Sequence, residues 1–199
     1  MFKHLLLYIC YQIKQSKKLN IMATTTKWVI DPMHSEVQFK VKHLVISTVS
    51  GFFKSFEGAL ETEGDDFEHA AISFALNIDS IDTNQSQRDE HLKSAEFFDA
   101  AQFPQITFKS TSFKKTDDDE YALVGDLTIK GITKSVTLNA EFGGSTNDFY
   151  GNTKAGFEVT GKINRKEFGL TWDGVTEAGS IVVGEDIKLI INIQFAKQA

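Results

Sequence analysis

Several residue types are scarce in this sequence, and each shortage narrows the possible classes of protein. Cys10 is the only cysteine among the 199 residues, so no disulfide can form within the chain. The formal net charge is −6 and no basic stripe is present, which argues against nucleic acid as a partner. The apolar run at residues 5–11 is too short to cross a bilayer. We therefore expect no nucleic-acid partner and no stable membrane insertion.

The motifs of common catalytic sites are missing as well. There is no glycine-rich phosphate loop, no nucleophile elbow and no zinc-type pairing of cysteine with histidine. The five histidines share no metal-ligand spacing. We therefore predict no enzyme, no catalytic residues and no metal site, and we assign the candidate polar residues to recognition.

The first 21 residues differ from the rest of the chain. They contain four lysines and no acidic residue, and no small-x-small cleavage site follows their short apolar run. They are either a start-site artefact, with Met22 as the more natural start, or a weak membrane-seeking tail. We accordingly expect an extension at residues 1–21 and one domain at 22–199. We expect a cytoplasmic protein, or a periplasmic one if the extension acts as a secretory signal.

Phenylalanine, in contrast, is abundant, with 17 residues against only two tryptophans. A phenylalanine ring carries no polar group, so this number indicates a large and purely apolar interior. The interior is either filled by its own side chains or encloses an apolar ligand.

Apolar residues alternate with polar ones along most of the chain, as expected for strands with one buried face. In residues 36–45, one face carries Val37, Phe39, Val41, His43 and Val45. We predict a turn at 47–51, then a strand at 52–60 with a bend at Gly58, and similar strands recur to residue 195. About eight strands without any βαβ rhythm must close or stack to protect their edges. The prediction is an all-β fold, an eight-stranded antiparallel barrel with a wet outer face.

One segment, residues 83–104, breaks this alternation. It is rich in helix-forming residues and ends at Pro104, so it predicts one or two short helices inserted around residues 84–102, with Ser94 capping the second. Arg88, Asp89 and His91 lie close together in it. Two interpretations stay open: Arg88 and Asp89 pair to fix the insertion, or the cluster has a role in function.

Two further polar residues stand out against the apolar pattern. His43 is either a hydrogen-bonded core histidine or a polar contact inside a pocket. Arg165 is, with Arg88, one of only two arginines in the chain. If the barrel is hollow, a guanidinium near its mouth suits the phosphate or carboxylate head group of a ligand.

Several motifs together resemble one known family. They are Asp31-Pro32-x-His34-Ser35, the run VQFKVKHL at 37–44, RDxHL at 88–92, GxLTIxG at 125–131, and Asn164-Arg165 followed by FGL at 168–170. In this order, over residues 27–195, they are similar to the YceI-like polyisoprenoid-binding proteins.

The resemblance implies a lipocalin-like barrel with an elongated apolar channel for a long isoprenoid or similar amphipathic lipid. It also implies frequent homodimers and no settled enzymatic activity. We therefore expect non-catalytic binding, carriage or storage of a polyisoprenoid or isoprenoid quinone, with no cofactor besides that lipid. The expected channel lining is Phe39, Val41, Phe53, Phe74, Phe108, Leu127, Phe157 and Ile191. The expected head-group contacts are His43, Arg88, His91 and Arg165.

Two other functions stay open at this point. One is an enzyme that acts on a prenyl diphosphate, with His91 as general base, Asp89 orienting it and Arg88 holding the diphosphate. The other is a stress-related interaction module whose barrel is filled by its own side chains.

Overall fold

The computed structural model describes residues 25–64, 66–174 and 182–198, so the predictions for residues 1–21 fall outside the described part of the chain. These described residues contain one α-helix, α1 (Ser86–Lys93), and 3-10 turns at 32–34, 78–80 and 165–168. The strands are β1 (Thr25–Ile30), β2 (Glu36–His43), β3 (Ser47–Phe53), β4 (Phe56–Glu63), β5 (Ala71–Asn77), β6 (Ile81–Asp82), β7 (Gln105–Lys115), β8 (Glu120–Ile129), β9 (Ile132–Asn147), β10 (Thr153–Asn164) and β11 (Val183–Lys197).

These strands form a closed antiparallel barrel. Six of the short strands combine into three long, kinked strands: β1 with β2, β3 with β4, and β5 with β6. In each combination, the two halves are hydrogen-bonded to one and the same neighbouring long strand. Strands β7 to β11 follow as a meander, and β11 pairs with both β1 and β2 to close the ring. Counted as long strands, the barrel has eight. The predicted eight-stranded antiparallel barrel is confirmed.

The kink between β1 and β2 is held by the Asp-Pro-x-His-Ser motif. The Asp31 carboxylate accepts hydrogen bonds from the main-chain N–H of Met33 and from Lys154 on β10, and it contacts Nδ1 of His34 at 3.1 Å. The Ser35 hydroxyl donates to the Asp31 carbonyl and accepts the main-chain N–H of Gln194 on β11. Partial burial opposes the charge on Asp31, but these hydrogen bonds prevail and lower its pKa. The motif is therefore a structural clamp between three strands.

Two strand predictions were wrong at their ends. β2 stops at His43, because Leu44 and Val45 adopt φ of 49° and 66° and turn the chain, so Val45 is exposed and does not face inward. The predicted turn at 47–51 is strand β3. The kink in this long strand lies at residues 54–55 and not at Gly58, which stays paired with Phe74.

One end of the barrel is closed by aromatic packing. The ring of Phe67, in the connection after β4, lies 5.3 Å from Trp28, 5.2 Å from Phe142 and 5.2 Å from Phe157, measured between centroids. Phe113 and Tyr121 stack at 4.6 Å beside them. Much of the phenylalanine content is thus ordinary core.

The insertion covers the opposite end, which we call the helix end. α1 begins after Gln85 and ends at Ser94, whose hydroxyl donates to the His91 carbonyl. Of the one or two short helices expected, the described residues contain one, because Ser94 caps the C-terminus of α1 and does not start a new helix. The Lys130 ammonium ties the β8–β9 turn to the carbonyls of Ala95 and Phe97 at 3.1 and 2.7 Å.

Among the described residues no helix combines the length and apolarity needed to cross a membrane.

Candidate functional site

A cavity of about 400 Å³ lies inside the barrel, between the aromatic end and the helix end. This volume is within the range typical of sites for small organic ligands, roughly 300–1,000 Å³. The barrel is therefore hollow and not fully packed by its own side chains, contrary to the filled-barrel alternative.

The cavity wall is built from the inward faces of nearly all the long strands. All eight residues predicted to line a channel reach this wall; they are Phe39, Val41, Phe53, Phe74, Phe108, Leu127, Phe157 and Ile191. Phe157 also belongs to the aromatic cluster that closes the far end. Phe39, Val41 and Ile191 point inward yet are only half-buried, as expected for side chains that face a cavity. That these residues contact a ligand stays a prediction.

Arg88 and Asp89 are both fixed by Thr83, and they do not pair with each other. The Arg88 guanidinium donates from Nε to the Thr83 hydroxyl at 2.7 Å and from Nη2 to the Thr83 carbonyl at 2.6 Å. The Asp89 carboxylate accepts from the Thr83 N–H at 2.9 Å and from its hydroxyl at 2.5 Å. Of the two interpretations left open, direct pairing of Arg88 with Asp89 is therefore not supported. Nη1 of Arg88 forms no hydrogen bond with the described residues, and Arg88 reaches the cavity wall.

His91 also reaches the cavity, but without the partner expected for a general base. Its Nε2 lies 3.0 Å from the Glu96 carboxylate, and its ring meets Trp172 edge-on at 4.9 Å. Asp89 is bonded to Thr83 and so does not orient His91. Asp89 and His91 are two positions apart on α1 and so project from nearly opposite sides of the helix, which argues against the Asp89–His91 pair considered for an enzyme.

Arg165 is a structural residue and a poor candidate for the head group. Its side chain is 1% exposed, and all five N–H donors of the guanidinium are used. They bond to the carbonyls of Leu170, Trp172, Val183 and Gly184 and to the Asp173 carboxylate. Although Arg165 touches the cavity wall, it has no donor left for a ligand.

The Arg165 network extends to the surface of the helix end. Asp173 receives hydrogen bonds from Lys166 and Arg165, which lower the pKa of its carboxyl group. Lys166 bonds to Asp173 and Glu185, which raises the pKa of its ammonium group. These interactions join the segment after β10 to the start of β11.

His43 ends β2 with its side chain directed into the cavity. Its ring forms no hydrogen bond with any residue that the structure describes, so the interpretation as a hydrogen-bonded core histidine is not supported. His43, His91 and Arg88 thus each keep hydrogen-bonding capacity at the helix end that the described residues do not use.

The sequence alone did not single out Trp172 as part of the site. Trp172 lines the cavity and packs against His91 and Phe97, with ring centroids 4.9 and 5.9 Å away. The sequence did offer one indication of this role: Trp172 is an aromatic residue inside a polar, glycine-containing connection, and such large rings usually pack against other side chains.

A family model described as the YceI-like domain matches residues 28–195. The chain belongs to the YceI-like family. The resemblance noted in the sequence is thereby confirmed. Protein YceI from Salmonella newport is 39% identical over 178 residues, which cover 88% of this chain and 90% of that protein.

Solved structures of similar proteins support the same fold for this YceI-like chain. The YCEI protein of Campylobacter jejuni is 32% identical, with a TM-score of 0.69 over 80% of this chain and 91% of that one. BcnA of Burkholderia cenocepacia superposes with a TM-score of 0.72 over 83% and 98% of the two chains, at 19% identity. A polyisoprenoid binding domain from Saccharophagus degradans superposes with a TM-score of 0.64 over 86% of this chain and 98% of that one, at 12% identity. The last two likenesses show the fold alone.

Proposed function

We propose that this YceI-like protein binds a long-chain amphipathic lipid of the isoprenoid or isoprenoid-quinone type in its barrel and carries or stores it without chemical change. The observation that carries the proposal is the apolar cavity, whose charged and histidine side chains gather at the helix end. The description of the Saccharophagus degradans relative as a polyisoprenoid binding domain supports the same ligand class.

The apolar wall accounts for affinity without specific contacts along the chain. Each buried methylene contributes about 0.8 kcal/mol, so about ten of them contribute roughly 8 kcal/mol. Ordering the ligand offsets part of this gain. The lipid chain would contact Phe39, Val41 and Ile191, which face the cavity while half-buried.

Arg88 and His91 fit the polar head of such a lipid. Thr83 fixes the Arg88 guanidinium through Nε and Nη2, which leaves Nη1 to donate to a phosphate or a quinone oxygen. His91 and His43 offer further ring nitrogens at the same end of the cavity. Catalysis by a His91 that Asp89 orients is not part of the proposal, because Asp89 is bonded to Thr83.

Native mass spectrometry of the protein purified from its own source, followed by organic extraction, tests the proposal. We expect one prenyl lipid or quinone per barrel, recovered unchanged. A protein that carries no lipid and takes up no added polyisoprenoid would contradict it. Conversion of added prenyl diphosphate that disappears in His91→Ala would favour an enzyme instead.

A further inference from the structure

The connection between β2 and β3, residues 44–46, exposes two aliphatic side chains at the helix end. Val45 is 76% exposed and Ile46 is 87% exposed. Neither residue belongs to the cavity wall, but Lys42 and His43 just before them do, and Leu44 donates its main-chain N–H to Val182 of the same wall at 2.9 Å. We call residues 44–46 the hairpin tip. It therefore lies beside the cavity and is not itself part of it.

The backbone of the hairpin tip is unusual for its residues. Leu44 and Val45 have φ of 49° and 66°, a region that glycine and asparagine adopt readily and that a β-branched residue such as valine almost never does. A turn designed only for stability would carry asparagine or glycine here. Large exposed side chains are thus kept at a conformational cost, which is typical of a functional position.

A row of lysines crosses the outer face of the barrel next to this tip. Lys162, Lys188 and Lys40 are direct neighbours on β10, β11 and β2. Like charges placed opposite each other destabilise a sheet. Lys162 is neutralised by Asp186 at 2.9 Å, whereas Lys40 and Lys188 form no ion pair with the described residues. The nearby Glu185 carboxylate is bonded to Lys166.

The lysine row and the hairpin tip are close enough for both to contact the same flat surface. Lys40 precedes Leu44 by four residues along β2, which corresponds to about 13 Å at the usual rise of a strand. Lys42 lies between them and is exposed. Apolar side chains flanked by lysines match a bilayer with anionic head groups, since aliphatic groups insert while ammonium groups stay at the phosphates.

We propose that the hairpin tip docks the barrel onto an anionic lipid bilayer, with Val45 and Ile46 inserted at the acyl boundary and Lys40, Lys42 and Lys188 on the head groups. This proposal rests on the proposed function in one respect: docking places the cavity beside the membrane from which a lipid would be loaded. The docking itself requires no lipid in the cavity.

Vesicle co-sedimentation of the full chain tests the docking. We expect binding to vesicles of phosphatidylcholine with phosphatidylglycerol, weaker binding to phosphatidylcholine alone, and weakening by added salt. The double variant Val45→Ser with Ile46→Ser should lose at least about ten-fold in partitioning. Lys40→Gln and Lys188→Gln should each lose about five-fold. All variants retain residues 1–21, so differences between them report on the tip and the lysine row.

The matched control changes Phe149 and Tyr150 to serine. Both are fully or almost fully exposed, but they lie in the β9–β10 turn at the other end of the barrel. We expect this control to bind vesicles like the wild type. Equal binding by the tip variants and the wild type would overturn the proposal, as would a loss of binding in the control alone.

A local probe separates the tip from the rest of the chain. In Ile46→Trp, phosphatidylglycerol with brominated acyl chains should quench the fluorescence of the added indole, whereas the fluorescence of the indole added in Phe149→Trp should not be quenched.

Lipid extraction distinguishes the two proposals. Tip variants that lose vesicle binding, while the purified protein contains no prenyl lipid and takes up no added polyisoprenoid, would leave docking standing and contradict carriage. Unchanged vesicle binding in a lipid-loaded protein would leave carriage standing and contradict docking.

Discussion

The ring of Phe108 on β7 occupies the space that a side chain at Gly125 on β8 would need. A Cβ atom at residue 125 would lie 2.4 Å from Cζ of Phe108 and 2.6 Å from the carbonyl oxygen of Lys109. Gly51 stands in the same relation to Phe39, at 2.3 Å. Glycines on the inward faces of this barrel thus make room for the rings that form the cavity wall.

Gly125→Ala should destabilise the barrel, because the Lys109 carbonyl is main chain and can move only with its strand. We expect a loss of about 1–3 kcal/mol in the free energy of unfolding, measured by urea denaturation. Gly156→Ala on β10 is the matched control, since a Cβ there meets no atom within 4 Å. It should be neutral or stabilising by up to about 1 kcal/mol. Equal losses in both variants would contradict this account.

Ile191→Trp should fill the cavity and prevent lipid uptake. We expect uptake of an added prenyl alcohol to fall at least about ten-fold, because the indole replaces several methylenes of the ligand. Ile190→Trp is the control, as residue 190 lies next to it on β11 and outside the cavity wall. Undiminished uptake by a folded Ile191→Trp variant would show that the lipid does not occupy this cavity.

Arg165→Lys should be strongly destabilising although it keeps the positive charge. Lysine supplies three donors where the structure uses five, so at least two of the five acceptors, at least one of them a main-chain carbonyl, lose their partner. We expect a loss of about 2–4 kcal/mol in the free energy of unfolding. Arg88→Lys, at a half-buried site, should cost about 1 kcal/mol. A stable Arg165→Lys variant with weakened lipid binding would restore Arg165 as a head-group contact.

Lowering the pH should reduce the free energy of unfolding, because it protonates the Asp31 carboxylate. Its pKa in the folded protein lies below the ordinary value of 3.8, so its contribution to stability is complete above that value and is lost as the pH falls through the folded pKa. Asp31→Asn should reduce stability near neutral pH and flatten its decline below about pH 4. Asp118→Asn, in the exposed β7–β8 turn, removes the same charge. It should change neither the stability near neutral pH nor the decline in stability at lower pH. The measurement is urea denaturation across this pH range.

Val45→Asn should make the protein more stable and less able to bind vesicles. Asparagine tolerates positive φ, so we expect a gain of about 1 kcal/mol, seen as a rise of about 2–4 °C in the melting temperature. Val45→Thr retains the β-branch and should lose vesicle binding without this gain. If both variants bound vesicles normally, the exposed valine would have no role in docking.

The sequence by itself determined the barrel and most of the residues that face its interior. Alternation with period two is a local property, so Val37, Phe39, Val41 and His43 were assigned to the inner face without any knowledge of their neighbours. The number of long strands followed from the same pattern and from the turns between them. The helical insertion was visible because its composition breaks that pattern.

Only the tertiary structure decided what the polar residues do. Arg88, His91 and Arg165 looked alike in the sequence, but the partners of Arg165 come from the segment after β10 and the start of β11, whereas those of Arg88 come from Thr83 alone. Hydrogen bonds between distant residues depend on how strands are joined in space, which no local pattern records. The end of β2 is similar: Val45 continued the alternation, yet the turn needed to pair β2 with β3 placed it in solvent.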